Sequence, residues 1–131
     1  MLYEVMCIAV AIYWEARGEP IDGQYAVGQV IMNRTHDPRY PDDACSVVYD
    51  GGEDRYECQF SFYCDGKSDQ PEDNVSWRVA QVIARAVYEG RAAPMVGEAT
   101  HYHTIRVHPD WAQTGQEVAK ISDHVFYEAV K

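Results

Sequence analysis

The run LYEVMCIAVAIYWEARGEP constrains this chain most. Val5, Ile8, Ala9, Ile12 and Tyr13 fall at helical spacing, which predicts a first helix over Leu2 to Ala16. Gly18 and Pro20 stop it. Glu15 stands at the tail of that apolar run, directly after Tyr13 and Trp14. A second helix is expected from Gly23 to about Asn33, capped by Asp22, with Ala26, Val27, Val30 and Ile31 on its apolar face. A third long helix is expected over Val75 to Glu89, capped by Asn74 and stopped by Gly90, with Val79, Ile83, Ala86 and Val87 as its buried stripe. Between them, HDPRYPDD and QPEDN read as loops. ACSVVYDGG reads as a short helical turn closed by its glycines. Gln59 to Tyr63 has strand character, as do the alternating segments ATHYHTIRVH and HVFYEAV. The pattern predicts a mainly helical α+β domain with a small antiparallel sheet.

The length of 131 residues suits one compact domain, residues 1–131, able to bury its own core. A formal charge of -10 and the lack of any Lys/Arg cluster exclude a nucleic-acid-binding face. They also disfavour anionic membranes. The apolar stretch Val5 to Trp14 is too short to span a bilayer, so no membrane insertion is expected. It also lacks the basic flank and cleavage site of a signal peptide. A cytoplasmic origin without a signal peptide is therefore expected, and the chain is expected to be a monomer.

Four cysteines are present, Cys7, Cys45, Cys58 and Cys64, and they allow three disulfide connectivities. Cys58 and Cys64 flank the apparent hairpin CQFSFYC and are the favoured pair. Cys7, among apolar residues, reads as a buried thiol. The spacing of Cys58 and Cys64 is too wide for a zinc knuckle.

Glu15 carries the candidate chemistry. A carboxylate at a helix C-terminus faces the negative end of the macrodipole, and burial beside Tyr13 and Trp14 disfavours its charge further. Both effects keep a carboxyl protonated towards neutral pH, as a general acid requires. Arg17 opposes this if it faces Glu15. Glu19 reinforces it if the helix continues that far. A surface Glu–Arg pair at a helix end is the plainer reading of the same spacing.

Further motifs turn that reading. IYWEARGEPIDGQYAVGQVIMNR, CSVVYDG, CQFSFYCDG, ATHYHTIRVHPDWA and ISDHVFY occur in this order over nearly the whole chain. Together they resemble the SleB/CwlJ-type cell wall hydrolases, which include spore-cortex-lytic enzymes and phage lysins. Where that family has Gly, this chain has Ser122, just before His124. The resemblance implies a lysozyme-like, lytic-transglycosylase-like fold. It implies Glu15 as the catalytic acid on the β-1,4 bond between N-acetylmuramic acid and N-acetylglucosamine in peptidoglycan glycan strands. It also implies attack by the muramic C6 hydroxyl, with Glu15 then acting as base and a 1,6-anhydro product. Hydrolysis by water is the alternative and calls on a second carboxylate, for which Glu19, Asp22 and Asp65 are candidates. No cofactor and no metal are expected. A phage origin would make the chain an endolysin released by a holin to act at the cell wall.

Other matched residues have two readings each. Gln59 and Ser61 either hydrogen-bond the N-acetyl groups and orient Glu15, or stabilise the hairpin. Tyr102 and His103 line the cleft by resemblance, and Gln24 reaches it from the start of the second helix. Trp111 packs in the core or stacks on a sugar. Asn33 and Arg34 tie a helix end to the loop that follows it. A zinc amidase using His101, His103, His108 or His124 is the enzymatic rival, although HExxH is absent. A wall-glycan binding module is the non-enzymatic one.

Overall fold

The computed structural model describes residues 2–50 and 58–131. Helix α1, Leu2–Ala16, is buried around most of its circumference, from Val5 and Cys7 through Tyr13 and Ala16. An element apolar on nearly all sides has to run through the interior. Here α4 (Asn74–Tyr88), α2 (Ile21–Thr35) and the short α3 (Ala44–Val48) all pack against it. Gly28 lets α2 come close. A Cβ there would lie 3.1 Å from Val87 Cγ2 and 3.3 Å from Ile12 Cδ1.

The sheet holds β1 (His101–Thr104), β2 (Gln116–Ile121) and β3 (His124–Glu128). All pairings are antiparallel and β3 is central, in the order β1-β3-β2. Tyr102 pairs with Phe126 and His103 with Val125. Ala26 and Val30 of α2 share a second apolar cluster with Val96, Ala99 and Phe126. Tyr102 packs against both this cluster and the helical one, so the sheet meets the helices at that residue. Among the described residues, no helix is long and apolar enough to cross a membrane.

Several local expectations are corrected. Helix α2 starts at Ile21, behind Pro20 with φ -56°. Proline presets that angle and lacks the N–H that a helix start leaves unpaired. Asp22 therefore sits inside the first turn rather than capping it. Asp73, not Asn74, caps α4 by accepting from the Val75 and Ser76 amides at 3.0 and 3.2 Å. The helical turn at ACSVV is present and capped by Asp43. Its closing glycines, Gly51 and Gly52, lie outside the described residues.

The strand expected over Gln59 to Tyr63 is replaced by a 3-10 turn, Ser61–Cys64. Cys58 and Cys64 are joined in a disulfide with their Cα atoms 6.0 Å apart. An extended chain over that interval would span about 20 Å. Cys7 is not a buried thiol, because it is bonded to Cys45 and links α1 to α3. The strand β2 was not expected at all. The turn between β2 and β3 holds Ser122 at φ 54°. That left-handed angle is the one glycine adopts without cost, which accounts for the Gly implied there by resemblance.

Candidate active site

Helix α1 carries two charged residues, and the structure treats them differently. Glu4 Oε1 accepts from the Ala44 and Cys45 amides at 2.6 and 3.3 Å, at the first turn of α3. Glu15, at the other end, accepts one side-chain hydrogen bond among the described residues, from the Tyr102 hydroxyl at 2.7 Å. Burial raises the Glu15 pKa. The Tyr102 hydrogen bond and the charges of His124 and Arg34 oppose that rise without cancelling it. The carboxyl therefore keeps its proton to higher pH than an ordinary glutamic acid. Burial, and then the neighbouring Glu15 charge, push the Tyr102 pKa well above the ordinary value, so its hydroxyl remains a donor.

The aromatics before Glu15 serve the scaffold. The fully buried Tyr13 presents its hydroxyl oxygen to the Glu72 and Asp73 amides at 3.0 and 2.9 Å. Trp14 Nε1 donates to the Asp69 carbonyl at 2.8 Å. The end of α1 thereby anchors the loop that leads into α4. Arg17 lies over the Tyr13 and Trp14 rings, at 4.7 and 5.4 Å from their centroids. It also donates to the Tyr13 hydroxyl. The arginine beside Glu15 in sequence is thus held on the aromatics, and Arg34 of α2 is the guanidinium whose charge acts on the carboxyl.

Arg34 is buried and its Nε donates to the Thr100 carbonyl at 2.8 Å. Its guanidinium lies 4.9 Å from the Tyr40 ring centroid and 5.6 Å from that of Phe60. Among the described residues, Nη1 has no hydrogen-bond partner. Asn33 Nδ2 donates to the Gly97 and Ala99 carbonyls at 3.0 and 2.9 Å. Asn33 and Arg34 therefore do tie a helix end to backbone, but to the segment entering β1 rather than to the loop that follows α2.

Glu19 lies against His124, with Oε1 2.8 Å from Nδ1. The geometry is not that of an aligned hydrogen bond. The His124 ring meets Tyr102 edge-on, at 5.2 Å between centroids. Gln24 is buried and its amide donates to the Glu19 carbonyl at 3.2 Å. Tyr102, Glu19 and Gln24 thus surround or adjoin the Glu15 end of α1.

Other candidates lie elsewhere. His103 alternates to the opposite face of β1, where its ring stacks on Tyr127 and Nε2 lies 3.0 Å from the Tyr127 hydroxyl. His101 shares that face and packs on Trp111 at 4.9 Å. Burial, then the charges of Arg34 and Arg39, lower the His101 pKa to about 4. Gln59 and Ser61 are exposed on either side of buried Phe60, and no hydrogen bond joins them to Glu15. Among the described residues, no group of three or more His, Cys, Asp or Glu converges on one point. An apolar groove of about 470 Å³ between the start of α2 and α4 is lined by Ile21, Val75, Val79 and Val82 among others, with no carboxylate in its lining.

Sequence reasoning missed Arg34 as a neighbour of Glu15 and the pairing of Glu19 with His124. The repeated acid of EARGE and the histidine of ISDHVFY were visible. Nothing local tied one to the other.

Glu15 lies at the end of a central helix, facing a small antiparallel sheet, and its pKa is raised by burial. The chain belongs to the Cell Wall Hydrolase family, whose pattern matches residues 18–127. That match begins three positions after Glu15. The spore cortex-lytic enzyme of Halalkalibacterium halodurans is 30% identical over 129 residues, covering 94% of this chain and 34% of that protein. The spore cortex-lytic enzyme of Oceanobacillus iheyensis is 29% identical, covering 94% of this chain and 41% of that protein. The chain thus spans about a third to two fifths of the length of these relatives. Among solved structures, the catalytic domain of the germination-specific lytic transglycosylase SleB from Bacillus anthracis superposes with a TM-score of 0.77 at 25% identity, covering 95% of this chain and 93% of that one. The catalytic domain of Bacillus cereus SleB gives a TM-score of 0.71 at 24% identity, covering 95% and 89%. The lysozyme-like α+β fold implied by the sequence motifs is the fold of this chain.

Proposed function

We propose that the chain is a peptidoglycan lytic transglycosylase with Glu15 as its acid and base. The observation that carries this reading is the buried carboxyl of Glu15, raised in pKa and held by a single phenol donor. Protonated Glu15 gives its proton to the glycosidic oxygen between N-acetylmuramic acid and N-acetylglucosamine. The C1–O bond breaks and positive charge develops at C1. The carboxylate left behind accepts the proton of the muramic C6 hydroxyl as that oxygen bonds to C1. A 1,6-anhydro ring forms, and Glu15 regains its proton for the next cycle. The route needs no carboxylate nucleophile. The similarity to a SleB catalytic domain described as a lytic transglycosylase supports it.

Peptidoglycan strands are the proposed partner, and the cell wall is the proposed place of action. Gln24 is proposed to line the cleft beside Glu15, while Gln59 and Ser61 are proposed to meet the N-acetyl groups further along the strand. Mass spectrometry of fragments released from purified peptidoglycan tests the reaction type. Anhydro-muropeptides are expected. Muramic residues with reducing ends would make the enzyme a hydrolytic muramidase, and cleaved stem peptides would reject the glycosidase reading.

A further inference from the structure

Two carboxylates of the EARGE segment end up at the same corner of the fold. Glu15 belongs to the end of α1 and Glu19 to the link into α2. The Glu19 side chain is only 18% exposed and that of His124 only 9%. A partly buried carboxylate is costly unless a polar partner meets it, and His124 is the side chain that does so, at 2.8 Å. The imidazole is in turn fixed on its other side. It meets Tyr102 edge-on at 5.2 Å with an interplanar angle of 88°, and Phe126 lies 6.3 Å from it. Phe126 also packs on Tyr102, at 5.5 Å. The Tyr102 hydroxyl reaches Glu15 Oε1. A continuous set of contacts therefore runs from one acid to the other through two rings.

We propose that Glu19 is a positioning residue for the reaction and not its second catalytic carboxylate: by pairing with His124 it fixes the ring that holds the Tyr102 hydroxyl on Glu15. The inference rests on the acid/base reading of Glu15. It explains why the segment carries two acids when the anhydro route uses one. Glu19 Oε1 is engaged with the His124 ring. The charged and titratable groups facing Glu15 are Tyr102 from β1, His124 from β3 and Arg34 from α2. Those facing His124 are Glu19 from the α1–α2 link, Tyr102 from β1 and Glu15 from α1.

The test uses the intact chain on soluble, uncross-linked glycan strands, with Glu19→Gln, His124→Gln and the double variant compared to wild type. Each single variant is expected to lose roughly tenfold in kcat with KM little changed, and the double variant to be no slower than the worse single, because both act through one contact path. His124→Gln is also expected to move the alkaline limb of the kcat profile to higher pH, because an interaction that lowers the Glu15 pKa is gone. The limb is expected to move the same way in Glu19→Gln, because a loosened Tyr102 hydroxyl no longer favours ionised Glu15, whereas a pair that did not position Tyr102 would leave the limb of that variant in place. Should Glu19→Gln fail to fold, Glu19→Asp carries the same coupling test, since its shorter arm withdraws the carboxylate from the ring. Additive losses, an unmoved pH limb, or unchanged rates in both singles would overturn the proposal. So would a Glu19→Gln rate as low as that of Glu15→Gln with His124→Gln near wild type, which would make Glu19 catalytic. A wild-type protein that releases no glycan product would overturn the Glu15 reading itself and this inference with it, whereas failure of the coupling alone leaves Glu15 untouched.

Discussion

Replacing Tyr102 by phenylalanine removes one oxygen from the site and little else. The ring keeps its contacts with Phe126 and His124, at 5.5 and 5.2 Å, so packing is preserved. What is lost is the 2.7 Å hydrogen bond to Glu15 Oε1. That bond is strongest when Glu15 is ionised, which is the state created as the proton leaves for the glycosidic oxygen. A hydrogen bond from a buried donor to a carboxylate is worth roughly 1.5–3 kcal/mol. Loss of that much stabilisation slows the step by roughly 10- to 150-fold. The same change also leaves burial less opposed, so the Glu15 pKa rises further and the alkaline limb of the kcat profile moves to higher pH. The assay is release of soluble fragments from peptidoglycan across pH, with a thermal melt as control. A Tyr102→Phe protein with wild-type rate, or with its alkaline limb moved to lower pH, would refute this account of the site.

Glu15→Gln is expected to raise the thermal midpoint at pH 7 to 8 and to change it little below pH 4. A carboxyl whose folded pKa lies above its unfolded value near 4.5 gives its full stability below that value and loses it as pH rises through the folded pKa, so removing the carboxyl relieves the fold only on the alkaline side. Replacing Cys7 and Cys45 together by serine opens a link spanning 38 residues and should cost about 3–4 kcal/mol, seen as a midpoint lower by roughly 10 °C. Ser122→Gly should stabilise by ~0.5–1 kcal/mol in denaturant titration, because Ser122 holds φ 54° against its preference.

Helix α4 was legible because its apolar positions repeat at a helical period, and α1 because its long apolar run is closed by Gly18 and Pro20. Glu15 was legible as well, since an acid at the end of such a run is conspicuous. The misread segments fail for physical reasons. Phe60 and Phe62 alternate with polar neighbours as a strand would, yet the Cys58–Cys64 bridge closes that interval into a turn. Strand β2, QEVAKI, has no clean alternation, as suits an edge strand whose positions are exposed or half-buried. The site's electrostatics come from contacts far apart in sequence. Tyr102 meets Glu15 across 87 positions. His124 and Arg34 act on the same carboxyl from two further elements, and no spacing rule links them to it. His103, adjacent to Tyr102, faces away because strand side chains alternate.

The most direct test of the central claim is a side-by-side digest of purified peptidoglycan by wild type and Glu15→Gln, with both proteins shown to be folded by their thermal melts. The account predicts anhydro-muropeptides from wild type and none from Glu15→Gln. Equal release by the two proteins would contradict it.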